Sequence, residues 1–171
     1  MNTMTGNYPI EAAANSVLRE AEKRGIALTH MKLQKLLYLA YGYYAGLTGE
    51  PLADEDFEAW QFGPVSPTVY QSFKDCGGHT IDPGRRMERF VLDDEGARFE
   101  LPYLPEDDGK AARVVDYVFD TYGAKSAIYL SDLTHKEGSP WDQADSIRPR
   151  RRNIKIDNDA IREYFAKLVK H

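Results

Sequence analysis

One stretch decides how this chain folds: residues 29–47, which read THMKLQKLLYLAYGYYAGL. Thr29 is a suitable N-cap for a helix. The apolar residues after it recur at helical spacing, at Leu33, Leu36, Leu37, Ala40, Tyr41, Tyr44 and Leu47. Beyond Tyr38 the helix is apolar or aromatic on every side, which is typical of a central, buried helix. Gly42 and Gly46 would each weaken such a helix by about 1 kcal/mol, so we expect neighbouring backbone or rings to approach closely there.

Shorter elements surround this central helix. Capping residues, prolines and apolar periodicity predict further helices from Pro9 to Gly25, from Ser66 to about Gly78, from Pro105, from Ser126 to Leu133, and from Asp157 or Asn158. Two β-prone runs, residues 89–92 and 98–101, flank the turn Asp93-Asp94-Glu95-Gly96 and predict a hairpin. The expected fold class is α+β: a compact, predominantly α-helical domain with one short β-hairpin.

Length and charge bound the organisation of the chain. Its 171 residues, 42% hydrophobic and 29% charged, are those of an ordinary globular domain. We expect residues 1–147 to form this domain and residues 148–171, a basic segment and a C-terminal helix, to pack on it. The net charge is −5, yet Arg148–Lys155 holds five bases and no acid, so the other residues carry −10. So acidic a body disfavours broad binding to phosphate backbones.

Several function classes lack their motifs. The four histidines have no ligand-like spacing, and CxxC and HExxH do not occur, so we expect no metal and no cofactor. GxSxG, P-loop and GxGxxG patterns are missing as well, and we predict no catalytic residue and no enzyme. A pairing of Cys76 with His79 is the one nucleophilic arrangement left open. No long uncharged apolar stretch predicts a membrane span, and one cysteine with a polar N-terminus favours the cytoplasm.

Two corners rich in aromatic, glycine and proline residues are the most informative local features. The first corner contains Trp60, Gly63 and Pro64. Because Gly63 precedes a proline, the chain is expected to turn sharply there, and we expect Trp60 to fill the core beside the central helix. The second corner, Gly138-Ser139-Pro140-Trp141, ends in a tryptophan that is either core or a contact for a partner.

Three motifs together resemble a known family. Residues 31–38 (MKLQKLLY) are similar to its KLQKLLY helix, and residues 58–65 (EAWQFGPV) are similar to its AWxxGPV segment. Residues 133–141 (LTHKEGSPW) resemble its segment that runs from LTH to PW. Their order and spacing resemble the Panacea antitoxin domain, also called SocA-like and often phage-associated. The resemblance covers about Ile10 to Trp141.

The resemblance implies an antitoxin of a toxin–antitoxin system, a bacterial or prophage protein that neutralises a protein toxin by direct binding. The toxin is typically encoded by the adjacent gene, and the family is not regarded as enzymatic. Because its members pair with many unrelated toxins, the toxin's identity does not carry over. Two alternatives stay open: a DNA-binding operon repressor that uses Arg148–Lys155, and an adaptor that delivers its partner to a protease. Self-association is also left open.

Candidate partner contacts come from polar residues that the sequence places at the surface. Lys32 and Lys35 lie one turn apart on the central helix, and the basic run adds Arg150, Arg151 and Arg152. If the toxin has a basic site, the acidic clusters at residues 93–95 and 106–108 could imitate phosphate there.

Overall fold

The computed structural model describes residues 6–147 and 154–169. These residues form seven α-helices, one short 3-10 turn (Lys74–Cys76) and four β-strands in two antiparallel pairs. The helices are α1 (Ile10–Arg24), α2 (His30–Thr48), α3 (Pro67–Phe73), α4 (Gly109–Tyr122), α5 (Ala127–Thr134), α6 (Pro140–Ile147) and α7 (Asn158–Val169). The strands are β1 (Glu58–Trp60), β2 (Gly63–Val65), β3 (Arg89–Asp93) and β4 (Gly96–Glu100). The predicted fold class, α+β and mainly helical, is confirmed.

Helix α2 is the central helix that its sequence predicts. The Thr29 side chain caps it by accepting a hydrogen bond from Lys32 N at 3.2 Å. Helices α1, α4, α5 and α7 all pack against α2. A Cβ atom on Gly42 would lie 2.3 Å from the Phe165 ring, and one on Gly46 would lie 2.6 Å from the Phe165 backbone. The predicted close approach at both glycines is therefore confirmed, because α7 crosses α2 there.

One buried side chain of α1 holds the two chain segments at the open end of the β3–β4 hairpin. Asn15 is fully buried; its Nδ2 donates to Met87 O and to Pro102 O, both at 2.9 Å, and its Oδ1 accepts from Met87 N at 2.7 Å. Met87 precedes β3 and Pro102 follows β4, so Asn15 closes the base of the hairpin. We call residues 89–100 the outer hairpin; its predicted position is confirmed.

Three local features differ from the sequence prediction. The sequence predicts one β-hairpin, whereas the segment before α3 contains a further antiparallel pair, β1 and β2. Helix α4 begins at Gly109 rather than near Pro105, because the Asp108 side chain caps it by accepting from Ala111 N at 3.0 Å. Helix α6 was not predicted, although Ser139-Pro140 repeats the cap-and-proline pattern of Ser66-Pro67.

Candidate functional site

The three sequence motifs meet at the turn between β1 and β2. In this turn Gln61 and Phe62 connect Trp60 to Gly63, which face each other as paired residues of the two strands. The segment from Trp60 to Ser66 lies against α2 on one side and against α5 and α6 on the other. We call residues 60–66 the pinned turn, because side chains from these three helices hold its backbone.

Three successive carbonyl groups of the pinned turn contact side chains of α5, α6 and the connection between them. The contacts are Trp141 Nε1 to Trp60 O at 2.7 Å, His135 Nε2 to Gln61 O at 2.9 Å, and Ser131 Oγ to Phe62 O at 2.6 Å. The other imidazole nitrogen of His135 contacts Ser131 O. The His135 ring thus bridges the pinned turn and α5.

Helix α2 holds the second half of the pinned turn. Lys35 Nζ donates to Pro64 O at 2.9 Å. Gln34 makes a reciprocal pair with Ser66, in which Gln34 Nε2 donates to Ser66 O at 3.1 Å and Ser66 N donates to Gln34 Oε1 at 2.8 Å. Each of these backbone groups is thereby satisfied without water, as a tightly packed corner requires.

Lys35 is not the surface residue that the sequence suggested. Its side chain is 1% exposed, and burial lowers the pKa of its amine to about 7. The expectation of an exposed lysine is therefore wrong, because α2 is surrounded by other elements over most of its length. Lys32 is half-buried, and its Nζ donates to Gly123 O at 2.6 Å, just beyond α4. The two lysines therefore bind backbone groups in different parts of the fold and do not form one common surface.

Gly63 is the position where the pinned turn and Lys35 come closest. Its φ angle is +117°, a conformation that residues with side chains rarely adopt. A Cβ atom there would lie 2.7 Å from Lys35 Cε and 2.8 Å from Thr134 Oγ1. Glycine is therefore required twice, by the backbone angle and by the neighbours on both sides.

The structure places the two tryptophans of the motifs in different surroundings. Trp60 is half-buried. Its ring centroid lies 4.7 Å from that of Tyr70, and its Nε1 donates a hydrogen bond to Glu58 Oε1 at 2.8 Å. The expectation that Trp60 fills the core is wrong, because β1 places the indole at the rim of the molecule. Trp141 is 9% exposed, and its ring centroid lies 3.9 Å from that of His135. Trp141 is therefore the core residue of the pair.

A pocket of about 210 Å³ opens beside the pinned turn. Its apolar walls are Met31, Trp60, Phe62, Val65 and Tyr70. Phe62 stands at its edge, 57% exposed. His30 lies at the back of the pocket, and burial, followed by the charge of Lys35, lowers the pKa of His30 to about 4. An uncharged imidazole and apolar walls suit an apolar side chain of a partner better than an ion.

The charged candidates are separated in the structure. Asp108 is buried and accepts hydrogen bonds from Tyr8 and Tyr44 hydroxyls at 2.7 and 2.8 Å. It therefore supports the fold and cannot act as a surface phosphate mimic, unlike its exposed neighbours Glu106 and Asp107. Arg150, Arg151 and Arg152 lie outside the described residues. Lys155, at the end of the same basic run, pairs with Asp56 at 3.5 Å.

Residues 6–147 and 154–169 bear on the metal-binding and nucleophilic arrangements that the sequence considered. No three His, Cys, Asp or Glu side chains in these ranges gather as a metal site would require. The Cys76 sulfur accepts from Arg85 Nη1 at 3.1 Å, and His79 is exposed. None of the helices in these ranges combines the length and the apolar character needed to cross a lipid bilayer.

Sequence reasoning missed the side chains that hold the pinned turn. Gln34, Ser131 and His135 lie in or next to the motifs, but the motifs were interpreted through their apolar, glycine and proline residues. The sequence did carry a signal for them, because Gln34 and His135 are polar residues inside motifs that otherwise predict buried structure. Backbone groups in a buried corner need such partners.

Comparisons with known proteins agree with this arrangement. The profile of one family, described as antitoxin SocA-like, Panacea domain, matches residues 33–142. These residues contain all of α2 from Leu33 onward, the pinned turn, the outer hairpin and the first turn of α6. A curated relative, Antitoxin SocA of Caulobacter vibrioides (strain NA1000 / CB15N), is 35% identical over 131 residues, which are 77% of this chain and 67% of the relative. The chain therefore belongs to the SocA-like antitoxin family with a Panacea domain.

Proposed function

We propose that this chain is an antitoxin that neutralises a protein toxin by binding it directly, without catalysing a reaction. The observation that carries the proposal is the family match over residues 33–142, which includes residues 33–38 of the first motif and the whole of the other two. The relative that matches 77% of the chain is itself named as an antitoxin.

The geometry of the pinned turn supports a binding role. Its backbone is held by hydrogen bonds from three helices, so the turn is already ordered before any partner arrives. Ordering a surface in advance lowers the entropy lost on association. A stable complex would bury about 1,200–2,000 Å² in total.

Growth and co-purification test this proposal together. The product of the adjacent gene is expressed alone and with this chain. We expect growth arrest in the first case, rescue in the second, and a complex in which the toxin accumulates. A harmless neighbour, or rescue without any complex, would contradict direct binding. If growth returns while the toxin disappears from the cell, delivery to a protease is supported instead.

The basic run is the remaining proposed contact. We propose that Arg150, Arg151 and Arg152 contribute to binding the toxin, since long-range attraction between a basic segment and an acidic surface speeds encounter. Replacing the three arginines with glutamine should then weaken toxin binding. Loss of retention on DNA from the promoter region, with neutralisation intact, would support the operon-repressor alternative.

A further inference from the structure

The outer hairpin carries its apolar residues on the exposed side. In the register of β3 and β4, Phe90 faces Phe99 and Leu92 faces Ala97. Side chains alternate along a strand, so these residues share one side of the hairpin, and the exposed Leu101 directly follows β4. We call Phe90, Leu92, Phe99 and Leu101 the apolar hairpin face. Leu92 is 73% exposed and Phe99 is 68% exposed.

The opposite side of the hairpin is polar and less exposed. Arg98 spans this side, with Nη1 and Nη2 each 3.0 Å from an Asp93 carboxylate oxygen and Nε 2.8 Å from Glu100 Oε1. Arg89, Val91 and Arg98 are half-buried, whereas Phe90 and Leu92 are exposed. The usual arrangement, with the apolar side toward the core, is thus reversed. A contiguous exposed apolar patch of this kind marks an interaction surface.

We infer that the apolar hairpin face is a docking surface for the proposed toxin, a protein partner whose contacting surface here would be an apolar patch rimmed by lysine or arginine. The charge around the face argues for this partner. Residues 88–100 contain five acids and two arginines, a net charge of −3. Of these acids, Asp94 and Glu95 form the turn, where they are exposed.

Size and charge argue against a second copy of this chain as the occupant. Four large apolar side chains, each roughly half to three-quarters exposed, offer about 450 Å². Two such faces packed together would bury about 900 Å², which is less than the 1,200 Å² or so of a stable interface. They would also bring two hairpins of net charge −3 into contact. A different protein with a basic contacting surface avoids this repulsion.

The base of the hairpin is ordered before binding. Asn15 fixes the chain immediately before β3 and after β4, and the Phe90 and Phe99 rings pack edge-to-face at 5.5 Å. A two-stranded sheet alone is marginal in water. Here the clamp and the ion pairs of Arg98 hold it in a shape that a partner can recognise at low entropic cost.

This inference rests on the proposed function, and the experiment separates the two. The purified toxin is titrated with the full wild-type chain, with the double variant Leu92→Ser/Phe99→Ser, and with the control Ile128→Ser. Ile128 is 71% exposed, like Leu92, but lies on α5. We expect the double variant to bind at least about 30-fold more weakly, as for the loss of a hot spot, and to lose protection of growth. The control should bind like the wild type, and circular dichroism should show all three chains equally folded.

Each other outcome overturns a specific claim. If the wild type and the double variant bind and protect equally, the inference fails while the proposed function stands. If the wild type neither binds nor protects, the proposed function fails and the inference falls with it. If light scattering shows a wild-type dimer that the double variant dissolves, the face belongs to a second copy and the inference is wrong.

Discussion

The pinned turn and the outer hairpin have the same turn geometry but different contacts with the rest of the chain. In both, a two-residue turn joins the strands, and a glycine begins the second strand. Gly63 has φ +117° and Gly96 has φ +118°. Around Gly63, side chains from α2 and α5 lie within 3 Å of where a Cβ would be, whereas none of the described atoms lies within 4 Å of that point on Gly96.

The difference shows that contacts, rather than backbone geometry, assign a role to a hairpin. The pinned turn is enclosed by three helices and belongs to the frame of the protein. The outer hairpin is clamped at its base by Asn15 and turns apolar residues outward. The backbone of the pinned turn therefore contributes to stability and leaves only Phe62 and the adjacent pocket at the surface, whereas the outer hairpin leaves a whole apolar side uncovered.

The largest expected effect compares the two glycines directly. Gly63→Ala combines an unfavourable backbone angle with collisions against Lys35 and Thr134, so we expect it to lower the free energy of unfolding by about 3–5 kcal/mol. Gly96→Ala meets the same angle without the collisions, and we expect about 1–2 kcal/mol. Urea denaturation of both variants measures this. Equal losses would show that the enclosure of the pinned turn contributes nothing.

The second prediction concerns the clamp. Asn15→Ala leaves Met87 N, Met87 O and Pro102 O without their partner, which should cost about 2–3 kcal/mol. Hydrogen exchange should accelerate at the amides of residues 89–100 and stay unchanged at residues 58–65. The matched control is Ser16→Ala, which removes the acceptor for Leu104 N outside the hairpin. Equal acceleration in both hairpins would contradict a local clamp.

The third prediction uses the buried amine of the pinned turn. The pKa of Lys35 is about 7 in the folded chain, below its ordinary value of 10.5. Between these values the unfolded chain binds more protons, so stability rises with pH. We expect a rise of about 1 kcal/mol from pH 7 to pH 8. Lys35→Met should abolish this rise, and Lys110→Met, at an exposed lysine, should keep it. An unchanged pH dependence in Lys35→Met would assign the rise to another group.

The smallest expected effects are changes in stability caused by removing one side-chain contact in each region. Ser131→Ala removes the hydrogen bond to Phe62 O in the pinned turn and should cost about 1 kcal/mol. Leu92→Ser on the outer hairpin should change stability by less than about 0.5 kcal/mol, because the side chain is already exposed. Thermal unfolding of the two variants is the measurement. A large loss for Leu92→Ser would mean that this side chain supports the fold.

Periodicity and capping were sufficient to predict most of the fold. The apolar stripe and the Thr29 cap predicted α2. The two glycines predicted a close approach by neighbouring backbone or rings, and two β-prone runs on either side of a turn predicted the outer hairpin. The position of Lys35 was predicted wrongly because charged residues are usually exposed. The elements that pack around α2 bury this side chain. Alternation shows that a hairpin has an apolar side, yet packing of the whole chain decides where that side points. Asp108 is a similar case, since its partners Tyr8 and Tyr44 are distant in sequence.

The position of both tryptophans has an optical consequence. Trp60 and Trp141 are the two indoles of the chain, and the Trp141 Nε1 to Trp60 O distance is 2.7 Å. Intrinsic tryptophan emission therefore reports on the pinned turn, and neither indole belongs to the outer hairpin. A partner seated on the hairpin would leave the emission maximum unchanged while binding is complete. A partner that entered the pocket lined by Trp60 would shift it to shorter wavelength, so one spectrum of the complex distinguishes the two surfaces.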